Sequence, residues 1–175
     1  MRVIHTTADF DYCDNLKFSE NAVDAALDAI KHGAVFITDT NMALAGISKP
    51  LLARFGCEAQ CFMADPEVAD AAAEHGTTRA VAAVDKAAVA FNGTGRSVIY
   101  VVGNAPTALM RICELYHEGC FSPSLVIGAP VGFVNVVYSK ETLLASGLPY
   151  IAALGRKGGS TVAAAVCNAL LRMTL

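Results

Sequence analysis

Short β-branched runs alternate with longer segments of helical period along this chain, and that alternation restricts the fold more than any other feature. Strand-like runs are expected at Arg2–Thr6, Ala34–Thr38, Glu58–Phe62, Ser97–Val102, Ser124–Ile127 and Tyr150–Ala153. Several are apolar on both faces, as strands of a parallel sheet covered on both sides should be. Between them, helix ends are legible. Ser19 can cap a helix running to His32 that stops at Gly33, and Asp65-Pro66 opens one that closes at Gly76. Thr77 or Thr78 starts another, with Ala80, Ala83, Val84, Ala87 and Ala88 as its apolar stripe. Further helices are expected over Pro106–Glu118, Ser139–Ala145 and Ser160–Arg172. Right-handed βαβ units of this kind imply an α/β fold, a three-layer α/β/α sandwich around a mainly parallel sheet. No repeat or linker divides the 175 residues, so one domain over 1–175 is expected.

Composition narrows the function classes. The chain is 54% apolar and only 17% charged. Its two most apolar stretches are nevertheless interrupted. Val162–Leu171 contains Asn168, and Val98–Met110 contains Gly103, Asn104 and Pro106. Neither approaches the roughly 18 uninterrupted apolar residues of a spanning helix, so no membrane partner is expected. A net charge of −3 without a Lys/Arg cluster excludes a nucleic-acid footprint. The six cysteines form no C-x-x-C pair, which points to reduced thiols in a cytoplasmic protein and to no metal site. No basic leader precedes the first apolar run. Alanine-rich helices supply little apolar area each, so a partner subunit is an expectation from composition.

Three glycine-containing segments follow strands: Gly103–Thr107, Gly128–Phe133 and Gly155–Ser160. In open α/β sheets ligands bind beyond the carboxyl ends of the strands, where such loops gather. Helix N-termini there favour anions, and Arg156 and Lys157 add charge beside Gly158-Gly159. Gly155–Ser160 does not fit a P-loop, and Gly93-Thr94-Gly95 precedes a strand and does not follow one. His32, His75 and His117 each fall near an expected helix C-terminus, the usual place for a dipole-facing surface histidine. His5 differs, because hydroxyls and carboxylates follow it directly in Thr6-Thr7-Ala8-Asp9-Phe10-Asp11. The pattern leaves two roles open for it: a structural histidine, which is the commoner case, or one that exchanges a proton with a ligand.

Ordered blocks along the chain are more specific than any single motif. They are Arg2-Val3-Ile4-His5-Thr6-Thr7 with Asp9-Phe10, Thr38-Asp39-Thr40-Asn41-Met42 through Gly46-Ile47, and Thr78-Arg79-Ala80. Gly103-Asn104-Ala105-Pro106-Thr107-Ala108-Leu109, Pro130-Val131-Gly132-Phe133-Val134, Ser139-Lys140-Glu141 and Gly155-Arg156-Lys157-Gly158-Gly159-Ser160 complete them. In these blocks the chain resembles the precorrin-8X methylmutase family, which includes the cobalt-precorrin-8 methylmutases. The resemblance implies a flavodoxin-like sheet and an active site built at a homodimer interface, with no cofactor. It implies a cobalamin-pathway isomerase acting on a polycarboxylate tetrapyrrole. A methyl group moves from C-11 to C-12, giving hydrogenobyrinic acid, or cobyrinic acid when cobalt is present. It also implies that His5 is the proton donor. Arg2, Thr6, Asp39, Met42, Thr78, Arg79, Asn104, Thr107, Gly132, Lys140, Arg156 and Lys157 are the implied substrate-binding residues.

Two departures accompany the resemblance. Family members usually carry a further segment ahead of the Arg-Val-x-His block, whereas this chain starts one residue before Arg2. The usual Glu before Ser-Lys is Tyr138. An alternative expectation is therefore a catalytically weakened protein that still binds the tetrapyrrole.

Overall fold

The computed structural model describes residues 1–175. Its centre is a six-stranded sheet of β1 (Leu16–Phe18), β2 (Val35–Thr38), β3 (Glu58–Gln60), β4 (Val98–Val102), β5 (Leu125–Gly128) and β6 (Tyr150–Ala153). The strand order is β1-β6-β5-β4-β2-β3, with β1 antiparallel to β6 and every other pairing parallel. Counted in chain order, the five parallel strands run 2-1-3-4-5, which is flavodoxin-like winding. Every residue of β2, β4 and β5 is buried, as the two-sided apolar runs require.

Ten helices cover the sheet. They are α1 (Arg2–Thr7), α2 (Tyr12–Asn15), α3 (Ala22–Lys31), α4 (Asn41–Gly46), α5 (Lys49–Arg54), α6 (Pro66–Glu74), α7 (Arg79–Phe91), α8 (Pro106–His117), α9 (Val136–Ala145) and α10 (Ser160–Met173). Alternate residues of each strand feed two cores. Phe36, Ile99, Val101, Leu125, Ile127 and Ile151 pack on α3 and α10, together with Val3 of α1. Val35, Ile37, Tyr100, Val102 and Val126 pack on α7, α8 and Leu143 of α9. These are the two outer layers of the sandwich.

The structure corrects the reading of the N-terminus, where Arg2–Thr6 forms a helix and not a strand. The β-branched run is suited to a strand, but tertiary packing decides. Val3 is buried in the α10 core, and the Thr6 and Thr7 hydroxyls each donate to the carbonyl four residues back at 2.9 Å. The sheet edge beside β6 is formed instead by β1. Ser19 does not cap α3. Asn21, in the left-handed region at φ 60, precedes that helix, while Ser19 Oγ accepts from the Tyr150 N–H at 2.9 Å and so ties β6 to the turn. Helix α9 starts at Val136, three residues before the expected Ser139. His32, His75 and His117 sit at helix ends, each with Nδ1 2.8 Å from the carbonyl four residues earlier.

Candidate active site

The winding reverses direction between β2 and β4, and the crevice beyond their carboxyl ends is where such sheets bind ligands. Here a side chain of the protein itself fills part of it. Asp39 follows the last residue of β2 and is 2% exposed. Its carboxylate accepts from the Gly103 N–H at 2.8 Å, the Asn104 N–H at 2.8 Å and the Ala105 N–H at 2.7 Å. The amides that lead into α8 thus already hold an anion. Burial pushes the Asp39 carboxyl above its ordinary value, while the three N–H donors pull the other way. Beside it, Thr40 caps α4 by accepting from the Ala43 N–H at 3.1 Å, and its Oγ1 lies 2.7 Å from the Ser160 hydroxyl. That pair joins the β2 loop to the start of α10. Met42, on the first turn of α4, is 68% exposed.

The loops after β5 and β6 are welded together. The Gly159 N–H donates to the Ala129 carbonyl at 2.8 Å, and the Gly132 N–H to the Arg156 carbonyl at 3.2 Å. Gly158 must be glycine, because a Cβ there would stand 2.3 Å from the Ala129 carbonyl oxygen. Gly103 is equally constrained, since its Cβ would meet Ser160 Cα at 2.7 Å. Lys140 supports the loop from below. It is 1% exposed, and its Nζ donates to the Gly155 carbonyl at 2.8 Å and the Lys157 carbonyl at 2.9 Å, on either side of Arg156. Burial lowers its amine to about 8. Arg156 is exposed, its guanidinium 5.8 Å from the Phe133 ring centroid, a cation–π distance. Gly159, φ 118, immediately precedes α10, and no side chain caps that helix.

On α1, burial divides the residues by helical period. Val3 faces the α10 core, whereas Arg2, His5 and Thr6 are exposed and fall on one stripe at spacings of three and four. Asp9 continues that stripe just beyond the helix. Lys157 Nζ meets Asp9 Oδ2 at 2.6 Å and Asp11 Oδ2 at 2.5 Å, joining the His5 segment to the Arg156 loop. Donating to Asp11 and Asp9 raises the Lys157 amine, and accepting from Lys157 lowers Asp9.

Comparison with known proteins decides the family. The precorrin-8X methylmutase family model matches residues 1–173. The chain belongs to the precorrin-8X methylmutase family. It is 52% identical over 170 residues to the cobalt-precorrin-8 methylmutase of Salmonella typhimurium, covering 97% of this chain and 78% of that protein. It is 37% identical over 172 residues to the precorrin-8X methylmutase of Pseudomonas aeruginosa, covering 97% and 80%. The crystal structure of a precorrin-8X methylmutase from Thermus thermophilus superposes with a TM-score of 0.88 at 42% identity, covering 99% of this chain and 83% of that one. As a member of this methylmutase family, the protein is an isomerase of cobalamin biosynthesis.

Within this methylmutase fold most of the sequence-derived residues fall into three groups. Arg2, His5 and Thr6 share the α1 stripe, next to Lys157. Gly132 and Arg156 share the welded β5 and β6 loops. Thr78 and Thr107 hydroxyls lie 3.2 Å apart, bringing the starts of α7 and α8 together, and Arg79 is exposed at the first position of α7. Asp39 and Lys140 are buried, with their polar atoms engaged by the protein; both hold loops in place. Asn104 is exposed, but its N–H is committed to Asp39. Sequence reasoning did not single out Thr40, Ser160, Asp11 or Phe133 as individual site residues. An aspartate directly after the apolar run Val35-Phe36-Ile37 is the sequence signal for a buried carboxylate at Asp39.

Proposed function

We propose that this protein converts the precorrin-8 ring, in its cobalt-loaded form, to the corresponding byrinic acid by moving the methyl group from C-11 to C-12. The name of the 52% identical relative favours the cobalt form. The reaction is a rearrangement within one molecule, formally a [1,5]-sigmatropic shift, so it consumes no co-reactant and needs no nucleophile. Protonating a ring nitrogen biases the π-system toward the product, and His5 is the proton donor. The observation that carries this reading is the α1 stripe. Its one imidazole is exposed beside Arg2 and Thr6, and Lys157 ties the stripe to the loop bearing Arg156. General-acid assistance of this type contributes about 10²–10⁴-fold.

The substrate's carboxylates are met by Arg2, Arg79 and Arg156 and by the uncapped start of α10. Each charge-assisted bond is worth about 1.5–3 kcal/mol. Arg79 supports this assignment because a cation at a helix N-terminus opposes the dipole and gains nothing structurally. Thr78, Thr107, Met42 and Gly132 are assigned to the same binding surface. A second copy of the chain covers that surface, making a homodimer. In support, Met42, Phe133, Val134 and Tyr138 are 68, 86, 78 and 63% exposed, an apolar surface suited to a partner and to a flat macrocycle. All six cysteines are free thiols, which suits a cytoplasmic setting.

The test is spectroscopic, since product and substrate differ in conjugation. Wild type is expected to shift the spectrum of cobalt-precorrin-8, and His5→Ala to do so at least 100-fold more slowly with an unchanged far-UV circular dichroism spectrum. Conversion by His5→Ala at the wild-type rate overturns the assignment. A tight complex with wild type and an unshifted spectrum overturns the enzymatic reading.

A further inference from the structure

Three cations approach the β6 loop, and their surroundings differ. Lys140 is buried with its amine on two carbonyls. Arg156 has an aromatic ring beside it and no carboxylate partner. Lys157 is engaged by two carboxylates, Asp9 and Asp11, both from the turn that follows the His5 helix. That turn also has a bond of its own, since the Asp11 N–H donates to Asp9 Oδ1 at 3.0 Å, leaving Oδ2 of both residues for Lys157. Helix α1 has only six residues, ends at Ala8 in the left-handed region at φ 54, and buries a single side chain, Val3. A helix that short does not hold itself in place in water. Its position relative to the Arg156 loop rests on the α10 contact, on the buried Tyr12 of α2 that follows the turn, and on this three-charge cluster.

We infer that Lys157 is a positioning residue, a latch that fixes the His5 helix against the Arg156 loop, and not a clamp for a substrate carboxylate. The inference rests on the reading of His5 as proton donor. A donor must sit within hydrogen-bond reach of the ring atom it protonates, so a loosened α1 costs turnover before it costs binding. An amine saturated by two carboxylates offers little to a third.

The two roles predict opposite behaviour on the acidic side of the cluster. If Lys157 clamps substrate, Asp9→Asn with Asp11→Asn frees it and strengthens binding. If it is a latch, that double variant behaves like Lys157→Gln. Asn at position 9 keeps the oxygen that accepts from the Asp11 N–H, so the turn itself is preserved. For both variants the expected result is a kcat lowered about tenfold or more with KM changed less than twofold. Amide exchange at His5 and Ala8, whose N–H groups close α1, is expected to accelerate about fivefold. Combining all three substitutions adds nothing further, and Lys157→Arg retains most activity. A raised KM in Lys157→Gln with unchanged α1 exchange overturns the inference, as does a lowered KM in the double aspartate variant. Faster α1 exchange with unaltered kcat upholds the latch and instead removes His5 from the reaction, so the two failures are distinguishable.

Discussion

Two glycine loops meet at the carboxyl end of the sheet, one leading into α8 and one into α10, and neither helix has a side-chain cap, yet the amides of the two loops are treated differently. At α8 the approach is closed from within, since the Asp39 carboxylate holds the Gly103, Asn104 and Ala105 N–H groups. Ahead of α10 no carboxylate holds the loop amides, the Gly159 N–H going to the Ala129 carbonyl, and the loop carries Arg156 and Lys157. Backbone N–H groups ahead of a helix thus serve to fix a loop in one place and to present one in the other. Glycine alone therefore does not separate a binding loop from a structural one. What separates them is whether the protein supplies its own anion.

Removing that anion gives the largest expected effect. Asp39→Ala leaves three donors without an acceptor and is expected to cost about 3 kcal/mol, or roughly 6–12 °C in Tm for a domain of this size. Asp39→Asn, which retains one acceptor oxygen, is expected to lose about half as much. Thermal melts of the two variants check both, and a loss under about 1 kcal/mol for Asp39→Ala would erase the distinction between the two helix starts.

The next effect concerns the support under the α10 loop and depends on pH. The buried Lys140 amine titrates at about 8 in the folded chain, below its ordinary value near 10.5. Between those pH values the unfolded chain holds a proton that the folded chain does not, so stability from this group rises with pH across that window. Below pH 8 both states are protonated and the contribution is constant. Relative to Lys140→Met, wild type is expected to gain on the order of 2 kcal/mol between pH 8 and 10.5. Urea midpoints of the two proteins at several pH values test this, and parallel curves would show that the amine is not buried as a cation.

The smallest effect in stability is the sharpest in meaning. Thr161→Asp places an anion on the first turn of α10, which carries none. It is expected to stabilise the fold by about 0.3–1 kcal/mol and to raise KM several-fold by repelling substrate carboxylates. Melts and steady-state kinetics read the two signs separately, and an unchanged KM would take α10 out of the binding surface.

Much of this was legible in the sequence, and what was not has physical causes. Buried strands such as Val98–Val102 declare themselves through two-sided apolar runs, and Thr78 and Gly33 mark helix ends through local chemistry. Arg2–Thr7 misleads because its β-branched residues suit a strand, whereas its helix depends on Val3 meeting α10, a contact far away in sequence. The short α4 and α5 carry too few residues for a period to show. Asp39 and Lys140 could be found as polar members of ordered blocks. That both turn inward, onto Gly103–Ala105 and onto Gly155 and Lys157, follows only from the way the loops pack. Asn168, an interruption in an apolar run, proves to tie α10 to Gly46 and Ser48 through both ends of its amide.

The contrast between the two helix starts is tested most directly by amide chemical shifts. The 18.2 kDa chain can be labelled with ¹⁵N and titrated with the polycarboxylate product, cobyrinic acid in a diamagnetic form. Binding at the open start predicts progressive, saturable shifts at Ser160 and Thr161, with Gly103, Asn104 and Ala105 nearly unmoved because Asp39 already holds them. Large shifts at Gly103, Asn104 and Ala105, with Ser160 and Thr161 stationary, would mean that the ligand displaces Asp39 and would contradict the account.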